Sequence, residues 1–86
     1  MRTNELHILE HEDSENQNRR VIGIYSTGRR AFRRIEELVS SNGHGNVHTP
    51  ERAFTRTLRD TGEAEIQVDA PDRAHCYTAR TFTVNV

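Results

Sequence analysis

Residues 19–39, RRVIGIYSTGRRAFRRIEELV, constrain this chain more than any other stretch. They read as a strand, a sharp turn and an amphipathic helix. Val21, Ile22, Ile24 and Tyr25 are β-branched or aromatic, which suits a half-buried pleated strand. Ser26, Thr27 and Gly28 break that strand and bring hydroxyls to the N-cap of the helix. Ala31, Phe32, Ile35, Leu38 and Val39 then recur at helical spacing and form one apolar stripe. Asn42-Gly43 supplies the stop. The expected elements are a strand over residues 20–25 and a helix over Gly28–Ser41.

Strand patterns flank this unit. Residues 5–11 (ELHILEH) alternate, with Leu6 and Ile8 on one face and His7, Leu9 and His11 on the other. Residues 12–18 (EDSENQN) contain no apolar residue and read as a solvated loop between two antiparallel strands. After the Gly/His/Pro loop of residues 42–50, the pattern admits two readings. Thr49-Pro50-Glu51 is a good helix start, with Phe54 and Leu58 four apart. A hairpin turning on Asp60-Thr61-Gly62 competes with it. The hairpin pairs Arg59 with Glu63, Thr57 with Glu65 and Thr55 with Gln67. It also places Phe54, Leu58, Ala64, Ile66 and Val68 on one face. Threonine content favours strand as well, so the hairpin is the expectation. Residues 70–73 make a turn and residues 76–84 (CYTARTFTV) the last strand, with Phe82 and Val84 opposite Thr81 and Thr83.

The resulting expectation is an α+β fold of order ββαβββ. It has an antiparallel sheet of about five strands with one helix packed on one face, and residues 1–86 form a single domain. One helix leaves a sheet face uncovered, and the threonine-rich face is expected to meet solvent or a partner. A homodimer through that face or the final strand is a further expectation.

Composition narrows function. The chain of 86 residues has a net charge of −1, so no whole-molecule field steers it to nucleic acid or a membrane. Apolar residues make up 33%, so each apolar face must be used or covered by a partner. All 12 basic residues are arginine, which binds carboxylate and phosphate bidentately. One cysteine, Cys76, permits no intrachain disulfide. No secretory signal, membrane run or lipidation motif is recognisable, and a soluble protein in a bacterial cytoplasm is expected.

The segment VIGIYSTGRRAFRRIEEL resembles one in small bacterial and phage domains with a strand ending G-[IV]-Y-S and a helix carrying A-x-x-x-I-x-x-L. Here Gly23-Ile24-Tyr25-Ser26 and Ala31, Ile35 and Leu38 carry the likeness, with Gly43, His48, Pro50 and Phe54 near the family's loop-and-strand features. It spans residues 5–60 and implies a ββαβ core with no assigned chemistry. Gly23-Ile24-Tyr25 is also similar to the start of the GIY-YIG nuclease motif, but the chain has no YIG segment after it.

The helix's polar face carries the most chemical content. At 100° per residue, Arg29, Arg30, Arg33 and Arg34 share an arc of about 140°. Arginines near a helix N-terminus oppose its dipole. They and the free N–H groups of the first turn therefore form a candidate anion-binding face for phosphate or a carboxylate-rich protein surface. Ion pairs from Arg33 to Glu36 and Glu37 would make it an ordinary solvated face. Glu12, Asp13 and Glu15 form a second candidate binding surface, an acidic one. His44, His48, His75 and Cys76 are donor types that suit zinc but lack tight motif spacing, so no metal or other cofactor is assigned. His75 and Cys76 are strand neighbours pointing to opposite faces, not a catalytic dyad. No phosphate loop, nucleophile elbow or carboxylate pair is present, so no enzyme activity is expected.

These features suggest two functions. The first is a protein-binding module, such as a phage-encoded, anti-CRISPR-like inhibitor of a host-defence complex acting by surface occupancy. The alternative is a nucleic-acid-binding protein using the arginine face, for which interleaved aromatics are few.

Overall fold

The computed structural model describes residues 3–15 and 19–85. Among these, the elements are β1 (Thr3–Asp13), β2 (Arg20–Tyr25), α1 (Gly28–Ser41), α2 (Glu51–Thr61), β3 (Glu63–Asp69) and β4 (Ala74–Asn85). The fold is α+β, with a four-stranded antiparallel sheet ordered β2-β1-β4-β3 and two helices. Four strands replace the expected five, and two helices the expected one.

Residues 51–61 account for the difference. Phe54 and Leu58 are buried on one side of α2. Pro50 opens the helix and Gly62 closes it at φ 81°, a backbone region that glycine enters without steric cost. The threonines expected to favour strand are accommodated by hydrogen bonds within the helix. Thr55 Oγ1 donates to the Glu51 carbonyl at 3.0 Å, and Thr61 Oγ1 to the Thr57 carbonyl at 2.8 Å. No hairpin forms about Asp60-Thr61-Gly62. Glu63 instead starts β3, whose partner is β4, with Glu63 opposite Arg80 and Ile66 opposite Tyr77.

The stretch from β2 through α1 obeys the sequence pattern. Thr27 caps α1, its side chain accepting from the Arg30 N–H at 3.1 Å. Asn42 ends the helix, and Gly43 turns the chain at φ 69°. Between β1 and β2 the register shifts at Leu9/Glu10. The bulge gives Ile22 to the core side along with Tyr25 and leaves Val21 and Ile24 on the other. β1 runs to Asp13, longer than expected, so Glu12 and Asp13 are strand residues. Asn16, Gln17 and Asn18 of the expected loop lie outside the described residues.

The core lies between the helices and one sheet face. Phe32, Ile35 and Val39 of α1 and Phe54 and Leu58 of α2 pack on Leu9, Ala64, Ile66, Val68, Tyr77 and Ala79. The two phenylalanine rings meet with centroids 5.4 Å apart and tilted by 52°, an arrangement aromatic pairs favour. The threonine-rich side of β4 is not the uncovered side at Thr81, where the His7 Nδ1 lies 2.9 Å from Thr81 Oγ1 on the helix side. Tyr77 and Ala79 fix this register by pointing inward. Alternation then turns Phe82 and Val84 to the face without helices.

Candidate functional site

Four surfaces bear on function: the polar face of α1, the acidic end of β1, the open face of the sheet, and a histidine cluster at the other end of the helix layer.

On α1, Arg29 and Arg33 both turn to Glu51 of α2, at 3.6 and 3.8 Å. Arg34 pairs with Glu37 at 3.0 Å, one helical turn on. The helix has no acid in its own first turn, so Glu51 supplies from α2 the negative charge that a helix N-terminus favours. Arg30 has no ion pair among the described residues. The acidic trio is also paired. Glu12 lies 3.7 Å from Arg19, while Asp13 and Glu15 lie 3.5 and 3.2 Å from Arg73. Both predicted charged patches are thus tied into ion pairs, exposed or half-exposed on α1 and more covered at Asp13 and Arg73. Each exposed pair contributes only about 0–1 kcal/mol.

The open face is half legible in the sequence. Alternation places Leu6 and Ile8 together, and cross-strand pairing adds Phe82 opposite Leu6, Ile24 opposite Ile8, and Val84 opposite Asn4. Val21 and Ile24 are 61% and 58% exposed, the two most exposed large apolar side chains among the described residues. Toward the other end of this face the pattern becomes polar. Glu10 is buried and paired with Arg80, and Thr78 is buried opposite both Glu10 and Glu65. Residues 3–6 of β1 and 82–85 of β4 pair only with each other, because β2 and β3 stop short of them. They form a two-stranded ribbon with apolar side chains on its open side.

The histidine cluster is barely visible in the sequence. His44 leaves α1, its backbone N–H donating to the Val39 carbonyl at 3.0 Å. His75 enters β4 on the core side, diagonal to His11 across the β1–β4 pair. Its Nδ1 lies 3.0 Å from His11 Nε2. The rings of His44 and His75 stack with centroids 4.2 Å apart. Asp72, from the β3–β4 turn, places Oδ1 3.6 Å from His75 Nε2 and 3.8 Å from His44 Nε2, beyond hydrogen-bonding distance. His75 Nε2 and His44 Nδ1 are buried without a hydrogen-bond partner. A cleft of about 160 Å³, lined by His11, Ile22, Leu38, Asn42, His44, His75 and Tyr77, opens beside the rings. Burial pushes the His11 pKa down, and the neighbouring His75 adds to this, against the pull of Asp13. Of the four donor residues picked out in the sequence, the fold unites only His44 and His75. His48 is exposed, and Cys76 faces the opposite side of the sheet, its thiol pKa pushed up by burial. The alternation of β4 is the signal against Cys76. The i,i+3 spacing of Asp72 and His75 in a turn is the signal for Asp72.

No family model, curated protein or solved structure matches the chain. The ββαβ core implied by the resemblance of residues 5–60 to small bacterial and phage domains does not form, because α2 follows α1 where that pattern has a strand. No helix among the described residues is long and apolar enough to cross a membrane.

Proposed function

We propose that this protein is a non-enzymatic protein-binding module that acts by occupying a partner's surface with the open face of its sheet. The observation that carries this is the apolar patch running across β2, β1 and β4: Val21, Ile24, Ile8, Leu6, Phe82 and Val84. In a chain with so few apolar residues, placing six of them away from the helices leaves area that a partner can remove from water. The neighbouring ribbon has backbone edges unpaired by β2 or β3, which suit strand addition. The proposed role extends to blocking a larger complex, as phage-encoded inhibitors of host defence do. This surface supports that extension.

The arginine face of α1 gives less support to nucleic-acid binding, since Arg29, Arg33 and Arg34 already face carboxylates. The test is a nuclease-treated capture from bacterial lysate read by mass spectrometry. One stoichiometric protein assembly is expected, lost with Ile24→Glu and retained with Arg30→Glu plus Arg33→Glu. Partners that vanish on nuclease treatment, or capture that depends on the arginines and not on Ile24, would overturn the proposal.

A further inference from the structure

We propose that His44, His75 and Asp72 bind a divalent transition-metal ion, zinc being the best fit, and that His11 holds His75 in the binding tautomer. One ligand atom from each of the three residues lies within 4.8 Å of those from the other two. In a regular tetrahedron with zinc–ligand bonds of about 2.0 Å, ligand atoms lie about 3.3 Å apart. The two nitrogen–oxygen separations, 3.6 and 3.8 Å, exceed a hydrogen bond yet need only a few tenths of an ångström to reach that edge. An octahedral site has shorter edges and lies further from this arrangement.

The donor set is of the right kind. Imidazole and carboxylate both suit zinc, and His75 carries a buried nitrogen without a hydrogen-bond partner that faces Asp72, while at His44 the unpartnered nitrogen is Nδ1 and Nε2 faces Asp72. A buried polar atom left in this way is costly unless something satisfies it. At His75 that atom is Nε2, the one aimed at Asp72. His75 Nδ1 is already engaged with His11 Nε2. With its proton on Nδ1, His75 donates to His11 and leaves the Nε2 lone pair free for the metal. Metal-bound histidines are usually fixed through their second nitrogen in this way. His11 therefore acts as a positioning residue.

His44 must adjust. Its ring stacks on His75 with an interplanar angle of 22°, so the two lone pairs run side by side rather than converging. Gly43 and Gly45 flank it, both at positive φ, and a Cβ at either would meet nothing within 4 Å. Tilting the His44 ring toward Asp72 closes the site, and the adjoining cleft leaves room for water at a fourth position. The ion then ties the loop after α1 to the β3–β4 turn and to β4. The site lies on the helix side of the sheet, opposite the proposed docking face, so the two proposals stand or fall separately.

The test is a calorimetric titration of the intact protein with zinc chloride, paralleled by imidazole ¹⁵N NMR. One zinc per chain is expected, with a rise in Tm. His44→Ala and Asp72→Asn should each weaken binding at least tenfold, while His48→Ala and Cys76→Ser leave it unchanged. His44 and Asp72 lie outside the helices and strands, so their variants remain informative if the buried His75→Ala fails to fold. His11→Leu should weaken binding by roughly 10- to 100-fold and shift the His75 tautomer signals, with His11→Gln restoring part of both. Absence of binding at about 1 mM zinc, or affinity indifferent to both His44→Ala and Asp72→Asn, would overturn the proposal.

Discussion

The two faces of the sheet come from the same four strands, yet they are finished differently. On the inner face, alternate residues Leu9, Tyr77, Ala79, Ile66 and Val68 lie under two helices and are nearly inaccessible. On the outer face no helix covers the intervening residues, and there apolar Leu6, Ile8, Ile24 and Phe82, half-buried or exposed, give way to Arg80 and Glu65 around the buried Glu10 and Thr78. Burial on the inner face stabilises the fold. The outer face contributes less to the monomer and is free to serve recognition. Mutations should therefore separate stability from binding along the line of the sheet.

The largest effect belongs inside. Phe54 touches both the other helix and the sheet and is 2% exposed. Phe54→Ala should cost about 3–5 kcal/mol through lost burial and the cavity left behind, measured by urea unfolding. A cost below about 1 kcal/mol would mean that the helix layer is not the chief source of stability. The next largest is the exception on the outer face. Glu10 is 7% exposed there, and its carboxylate is paired with Arg80. Arg80→Ala removes the partner of a buried charge and should cost about 1–3 kcal/mol, with half the arginine already in solvent. An equal loss on Glu10→Gln and Arg80→Ala, with no further loss in the double variant, would confirm the coupling.

His7 gives a smaller effect that depends on pH. It sits on the inner face, and burial pushes its pKa below the ordinary 6.5, against the opposing pull of Glu5. Below pH 6.5 the unfolded chain takes up a proton on His7 that the folded chain resists. The stability from neutral His7 is therefore complete above that value and is lost as pH falls through it toward the lower folded pKa. His7→Gln, which can still reach Thr81, should flatten the fall in Tm on acidification. An unchanged pH profile would place the acid sensitivity elsewhere.

The sequence is most legible where local signals agree. From Arg20 to Ser41, strand alternation, a threonine cap, helical periodicity and Asn42-Gly43 all point to one answer, and those bounds match the structure. The next segment misleads because Phe54 and Leu58 are four apart. Both a helix and a strand place such residues on one face, so the apolar pattern cannot choose. The choice is tertiary: as a helix, residues 51–61 bury Phe54 and Leu58 against α1 and the inner face of the sheet, and the outer edge of β3 is left unpaired in the sheet. The same non-local dependence hides the faces of β4, where Tyr77 and Ala79 alternate with Phe82 and Val84 in opposite phase across Arg80. It also hides the histidine cluster, since His11, His44 and His75 meet only when β1, the α1–α2 loop and β4 are assembled.

The smallest stability effect is the sharpest test of the two-face comparison. Val21→Thr with Ile24→Thr keeps β-branched side chains on the edge strand, so strand propensity is preserved while the apolar groups are removed. If water covers this face in the isolated protein, the pair should change stability by no more than about 0.5 kcal/mol. The change should also be the same at low and high protein concentration. If a second copy covers the face instead, the unaltered protein will sediment above the mass of one chain and its Tm will rise with concentration, and the threonine pair will abolish both. Loss of partner capture without loss of stability is the expected result. It would show that these two residues serve the partner and not the fold.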